Sequence, residues 1–212
     1  MKQSLIDITP KMGVRTPVYP GDPPFVVRLT ASVAAGDPAD VSAVSFSAHC
    51  GAHVEAPAHL FPGTGDAASL PLERFVGPCL VIDLTELEPE AAPSELVRPQ
   101  TIAAVKALMG GKALPSRVLI KTRRSQPPVW SSDFRALSPE CVELVGVDVP
   151  SIDPADSEEL LAHRIALSRG LTVMENLDLS AVMAGSYELI ALPLPLEGVE
   201  ASPVRAVLRS IP

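Results

Sequence analysis

The sequence predicts an α/β fold built on a mixed sheet, and three observations carry that expectation. Short runs rich in β-branched residues recur along the chain, each closed by Pro, Gly or Asp. Only two stretches have helical composition. The 23 prolines imply many rigid turns between short elements. At 212 residues, 47% hydrophobic and 20% charged, the chain is long enough for one sizeable core, and no repeat or linker divides it. A single domain over 1–212 is expected.

In chain order, residues 5–9, 25–29, 41–47 and 79–84 read as strands. The Ala- and Leu-rich stretch 101–111 follows as the clearest helix, with Gly110 and Gly111 at its C-terminal end. Residues 118–122 read as a buried strand, as do part of 142–149, then 171–174, 187–192 and 204–208. A second, shorter helix is expected to open over 153–161, where Asp153, Asp156, Glu158 and Glu159 suit a positive helix end.

Composition also excludes functions. A formal charge of −8 repels phosphate backbones, and no basic stripe with interleaved aromatics occurs, so no nucleic-acid partner is expected. No run of ~18 apolar residues suggests a membrane span, and residues 1–7 lack the apolar core of a signal peptide. Three cysteines without a Cys-x-x-Cys pair imply no disulfide framework, which makes the cytoplasm the expected compartment.

Three of the four histidines, with a carboxylate, fall between His49 and His59. Packing gives no reason to gather His49, His53, Glu55 and His59, whereas imidazole and carboxylate suit a borderline divalent cation. Their odd numbering places them on one face of an ideal strand, while a helix would split them. Four residues of strand nevertheless span roughly 13 Å at ~3.3 Å each, too far for His49 and His53 to share an ion. The chain is therefore expected to bend at Gly51, to run as strand through His53 and Glu55, and to turn at Pro57 so that His59 re-enters the site.

This stretch resembles the signature of the cyclase and kynurenine formamidase family, His-x-Gly-Thr-His-x-Asp-x-Pro-x-His. It matches at His49, Gly51, His53, Pro57 and His59, and departs at Ala52, where the family has Thr, and at Glu55, where it has Asp. The resemblance continues through Tyr19–Asp22, Pro71–Pro78, Gly146–Pro154, Tyr187–Leu194 and Ala201–Ala206, nearly the whole chain in order. It implies a swivelling β/β/α arrangement and a metal-dependent hydrolase of small cyclic or aryl amides and esters. It also implies His163 and Glu175 as further ligands; taken alone, they would read as a helix-end histidine and a solvated strand end.

The same resemblance assigns His49, His53 and Glu55 to one ion and His163 with Glu175 to a second, the carboxylates bridging. His59 takes the general acid/base role, for which an imidazole titrating near ~6.5 is suited. The cofactor expected is a divalent metal, zinc or else manganese, one or two ions, whose coordinated water has its pKa lowered from ~15.7 toward ~7. The substrate expected is a small N-formyl aryl amine. A lactam or lactone hydrolase or cyclase is the alternative, and a non-catalytic metal- or ligand-binding protein the reading from another class. A homodimer or homotetramer is expected.

Tyr19 takes the place of an aromatic, often Trp, that stacks on substrate in the formamidases; a structural aromatic before a Pro-Gly turn is the alternative. Asp22 is read as capping that turn, and Cys50 as a soft ligand only if its side chain shares a face with His49. Lys121, Arg123 and Arg124 read as a solvated strand end or a contact to a substrate carboxylate, and Asp148 as a hydrogen-bonded carboxylate. The segment between Glu140 and the Gly146–Asp148 strand is shorter than in relatives by roughly two helical turns, on the 3.6-residue period.

Overall fold

The computed structural model describes residues 4–85, 114–122 and 142–211. The helix expected over 101–111, Arg123, Arg124 and Cys141 lie outside these; the rest of the segment after Glu140 runs from a buried Val142 into a strand at Leu144.

Among the described residues a mixed sheet of nine strands forms the body. The strands are β1 (Leu5–Asp7), β4 (His53–Glu55), β5 (Val76–Asp83), β6 (Arg117–Lys121), β7 (Leu144–Val147), β8 (Thr172–Glu175), β9 (Gly185–Ile190), β10 (Ala201–Pro203) and β11 (Val207–Ser210). Their order is β1-β11-β9-β5-β6-β7-β8-β4-β10. The β5-β6-β7-β8 pairs are parallel, and every other pair in the sheet is antiparallel.

The parallel centre follows from composition. β6, β7 and β8 are buried throughout, as parallel strands covered on both faces must be. Their residues alternate between two cores: Leu119, Leu144 and Met174 pack with Ile8, Val54, Phe75 and Leu189 on one face. Val118, Ile120, Val145 and Val173 pack on the other with Ala162, Ala166 and Leu167 of the helix α1 (Leu161–Ser168).

Two expectations are corrected, for the second helix and for Lys121, and the placement of two expected strands is defined. The second helix begins at Leu161, after the proposed 153–161 opening; Leu160 holds a left-handed φ of 47° that separates it from the turns before. Strands 25–29 and 41–47 exist, as β2 (Val26–Ala31) and β3 (Val41–Ser45), but pair only with each other, outside the main sheet. Lys121 is buried, donating to the Val182 carbonyl (2.8 Å) and lying 3.1 Å from Asp83, because it ends the central strand β6 inside the protein. The reading of Lys121 as solvated fails on that account. Asp148 accepts from the backbone N–H and hydroxyl of Thr122, as a hydrogen-bonded carboxylate.

Candidate metal centre

The strand β4 sits between β8 and β10, and its pairing builds the site. His53 and Glu55 point to one face of β4 because side chains alternate along a strand. The register sets Glu175 of β8 directly opposite His53, the cross-strand spacing at which side chains meet. His53, Glu55 and Glu175 are each at most 2% exposed.

Gly51 makes the expected bend, with φ 70°, and a side chain there would strike Met12 Cγ at 2.7 Å. The bend folds His49 back on His53, their Nδ1 and Nε2 atoms 3.2 Å apart. His49 is further set by a chain of bonds: its N–H donates to the Ser47 hydroxyl, which donates to Asp22 (2.7 Å). Asp22 also closes the Tyr19–Asp22 turn through its own N–H. After β4, a 3-10 turn over Pro57–His59 swings His59 Nε2 to 3.7 Å from Glu55 Oε1.

His163 enters from the first turn of α1. Asp153 accepts from the N–H groups of Ala162 and His163 (both 2.9 Å) and lies 2.6 Å from His163 Nδ1. One carboxylate therefore both satisfies the helix start and fixes the ring. With its proton on Nδ1 toward Asp153, His163 turns Nε2 inward, 3.2 Å from Glu55 Oε2 and 3.2 Å from Glu175 Oε1. Likewise the Gly51 carbonyl accepts from His53 Nδ1 (2.9 Å), so that Nε2 faces Glu175 Oε2 at 3.4 Å.

The two glutamates span the site. Glu55 offers Oε1 toward His49 (3.5 Å), His53 (4.0 Å) and His59, and Oε2 toward His163. Glu175 faces His53 with one oxygen and His163 with the other, which also accepts from the Ile152 N–H (2.6 Å). Among the described residues two sets, His49–Glu55–His59 and His53–Glu55–Glu175, have candidate ligand atoms all within 4.8 Å of one another. Cys50, fully buried, belongs to neither, and burial raises its thiol pKa.

Electrostatics test whether these residues fit a cation. Among the described residues Glu55 Oε2 and His163 Nε2 have no hydrogen-bond partner, although both are buried and only 3.2 Å apart. A buried unpaired carboxylate oxygen is costly. Burial disfavours the charged form of His163, yet Glu55 and Glu175 outweigh it and push its pKa up to about 12. Glu55 moves the other way: burial opposes its charge, but His163 and the neighbouring histidines hold it well below the usual carboxylate range. A cluster that draws in positive charge this strongly, from oxygen and imidazole donors, fits a divalent cation. For His59, burial is the largest influence and lowers the pKa, leaving a neutral ring near pH 7.

All five expected ligands and His59 thus converge. Tyr19 does not join either ligand set; it is 40% exposed, and its hydroxyl donates to the Ala155 carbonyl (2.6 Å), two residues from Asp153. Sequence reasoning missed two carboxylates: Asp153, read only as part of a helix start, and Glu200, whose Oε1 lies 3.4 Å from His49 Nε2. No spacing signal marks Glu200, which reaches the site through the β4–β10 pairing.

The cyclase family model matches residues 6–154. A kynurenine formamidase of Bordetella avium is 40% identical over 216 residues, covering 98% of each chain. A solved structure described as a predicted metal-dependent hydrolase from Bacillus stearothermophilus is 25% identical, covers 99% of each chain and superposes with a TM-score of 0.78. An isatin hydrolase bound to the product analogue thioisatinate, 19% identical, shares the fold with a TM-score of 0.80, covering all of this chain and 94% of its own.

Proposed function

The chain belongs to the cyclase family, and from that membership we propose that it is a metal-dependent hydrolase cleaving the C–N bond of a small N-formyl aryl amide. The observation that carries this reading is the buried approach of Glu55 Oε2 to His163 Nε2, neither hydrogen-bonded among the described residues, beside a neutral His59. Full-length similarity to a kynurenine formamidase supports the substrate class.

His49, His53 and Glu55 would hold one cation and His163 with Glu175 a second, the two carboxylates shared. Zinc suits the mixed nitrogen and oxygen donors, with manganese the alternative. A cation in such a site supplies hydroxide near neutral pH and polarises a carbonyl oxygen. His59 takes a proton from the attacking water and delivers it to the departing amine nitrogen as the C–N bond breaks. That nitrogen would otherwise leave as a strongly basic anion. With a cation bound, Asp153 and the Gly51 carbonyl would keep His163 and His53 in the tautomer that turns a lone pair inward.

The chain would act as one domain in a homodimer or homotetramer. The β2–β3 ribbon, exposing Val26, Val27, Leu29, Val41 and Val44, supports self-association, because an isolated two-stranded ribbon is marginal in water. Cys50 and Cys79, both free and buried, suit the cytoplasm; no described helix is long and apolar enough to cross a membrane.

A hydrolysis panel with and without chelator tests the function, using N-formyl aryl amines, isatin-like lactams, lactones and simple esters. Chelator-sensitive cleavage with N-formyl aryl amines preferred is expected. Equal turnover by a preparation shown metal-free by elemental analysis overturns the metal mechanism, and preference for lactams or lactones moves the substrate.

A further inference from the structure

Three imidazoles of the site, the buried His53 and His163 and the half-buried His49, each have a second nitrogen that points away from the site and meets a partner. His53 Nδ1 meets the Gly51 carbonyl at 2.9 Å, and His163 Nδ1 meets Asp153 at 2.6 Å. His49 is turned the other way: its Nδ1 faces His53 and Glu55, so Nε2 is its outward atom. That atom lies 3.4 Å from Glu200 Oε1.

We propose that Glu200 is a positioning residue, the outer carboxylate that orients His49 and fixes its proton on Nε2, leaving the Nδ1 lone pair for a metal. This rests on the metal-hydrolase reading above and extends it to a residue outside the ligand set.

The backbone around Glu200 is built to hold that place. Its carbonyl accepts from the Ala56 N–H (2.9 Å), one residue past Glu55, and Ala201 pairs with Glu55 across β4 and β10. On the other side, the Val199 carbonyl accepts from the Ala67 N–H (2.8 Å) and the Gly198 N–H donates to Asp66 (2.7 Å). The segment is thus pinned before and after Glu200 by bonds that do not use its side chain. The carboxylate itself lies against His49, whose side chain is 18% exposed. An imidazole whose far N–H donates to a carboxylate is a more basic and better oriented ligand. Because the Glu200 side chain is 43% exposed, water screens the pair, and its effect belongs at the low end of the range for such partners.

The test is zinc affinity of the full-length protein, measured by competition against a chromophoric chelator. The variants are Glu200→Ala, Glu200→Gln, His49→Ala and the Glu200→Ala/His49→Ala double variant. Glu200→Ala is expected to bind zinc about 10-fold more weakly, and Glu200→Gln, which keeps an acceptor, to fall between it and the parent. In the His49→Ala background, Glu200→Ala should cost nothing further, because its effect passes through that ring. Melting curves of all variants identify any general loss of fold, which would lower affinity equally in both backgrounds. Parental zinc affinity in Glu200→Ala, or an undiminished cost in the His49→Ala background, overturns the role of Glu200 alone. A parent protein that binds no zinc overturns both this role and the metal-hydrolase reading.

Discussion

Asp153 carries three bonds on one buried carboxylate, so removing it should be felt in both stability and metal binding. Asp153→Ala leaves the Ala162 N–H, the His163 N–H and His163 Nδ1 without their acceptor. An orphaned buried donor costs about 1–3 kcal/mol. The three share one acceptor and are not additive, which brings the expected loss to about 3–5 kcal/mol, the range for a broken buried pair. At about 2–4 °C per kcal/mol for a chain of this length, Tm falls by about 6–20 °C. Asp153→Asn is the finer probe. It preserves shape, but its NH2 must face either the Ala162 N–H or the His163 N–H and Nδ1, setting donor against donor where the carboxylate accepted, so the hold on the His163 ring is weakened. Zinc affinity should drop about 10- to 100-fold in that variant. Burial raises the pKa of Asp153, but the bonds from His163 and Ala162 outweigh it and bring the net value below 3.8. A depressed carboxylate contributes stability above its unfolded pKa and loses it as pH falls through the folded one. The gap in Tm between parent and Asp153→Asn should therefore be open at neutral pH and close below about pH 4. Melting curves across pH and a chelator competition measure both effects. An Asp153→Asn protein with parental Tm and parental zinc affinity at pH 7 would refute the reasoning.

Three other outcomes are expected. His59→Ala should keep its metal and its fold while turnover falls about 10²- to 10⁴-fold; loss of metal, seen by elemental analysis, would instead make His59 a ligand, which its place beside His49 and Glu55 permits. Glu55→Ala should lose most metal and activity, whereas Glu55→Asp should stay folded and keep at least one ion. The shorter side chain withdraws by ~1.3 Å against a ligand tolerance of about 0.2 Å, so parental metal content in Glu55→Ala would remove Glu55 from the ligands. Finally, His163, with its pKa pushed up to about 12, is protonated at pH 7 without metal, so zinc binding should release about one proton. Calorimetry in two buffers of different ionisation enthalpy reads this directly, and zero release would contradict it. By the same linkage, the metal-free protein holds the His163 contribution in full below pH ~6.5 and loses it as pH rises toward about 12.

Much of the sheet was legible because its strands carry their own signal. Val118 to Ile120 and Leu144 to Val147 are apolar runs bounded by charged residues, the composition expected of a buried parallel strand. β10 and the separation of β2–β3 from the main sheet were not legible, since pairing partners are set by tertiary contacts and a three-residue strand has no period to detect. The start of α1 was misplaced for a related reason. Acidic residues near a proline look like a helix opening, but the carboxylate that serves this helix start, Asp153, comes from eight residues before Leu161 and reaches it through space.

The site divides along the same line. His49, His53, Glu55 and His59 are local in sequence, so alternation along a strand and one bend at Gly51 suffice to gather them. His163 and Glu175 came only from resemblance, because helix α1 and strand β8 each reach the site by packing that no spacing records. Asp153 and Glu200 lie a further step out: an orienting carboxylate needs only to accept one bond from a ring already in place, so its position in the chain is free. Glu55 shows what such freedom permits at the centre. Its extra methylene relative to Asp is accommodated with Oε1 among three histidines and Oε2 against His163. The longer side chain therefore still reaches both halves of the site despite the departure from the family motif.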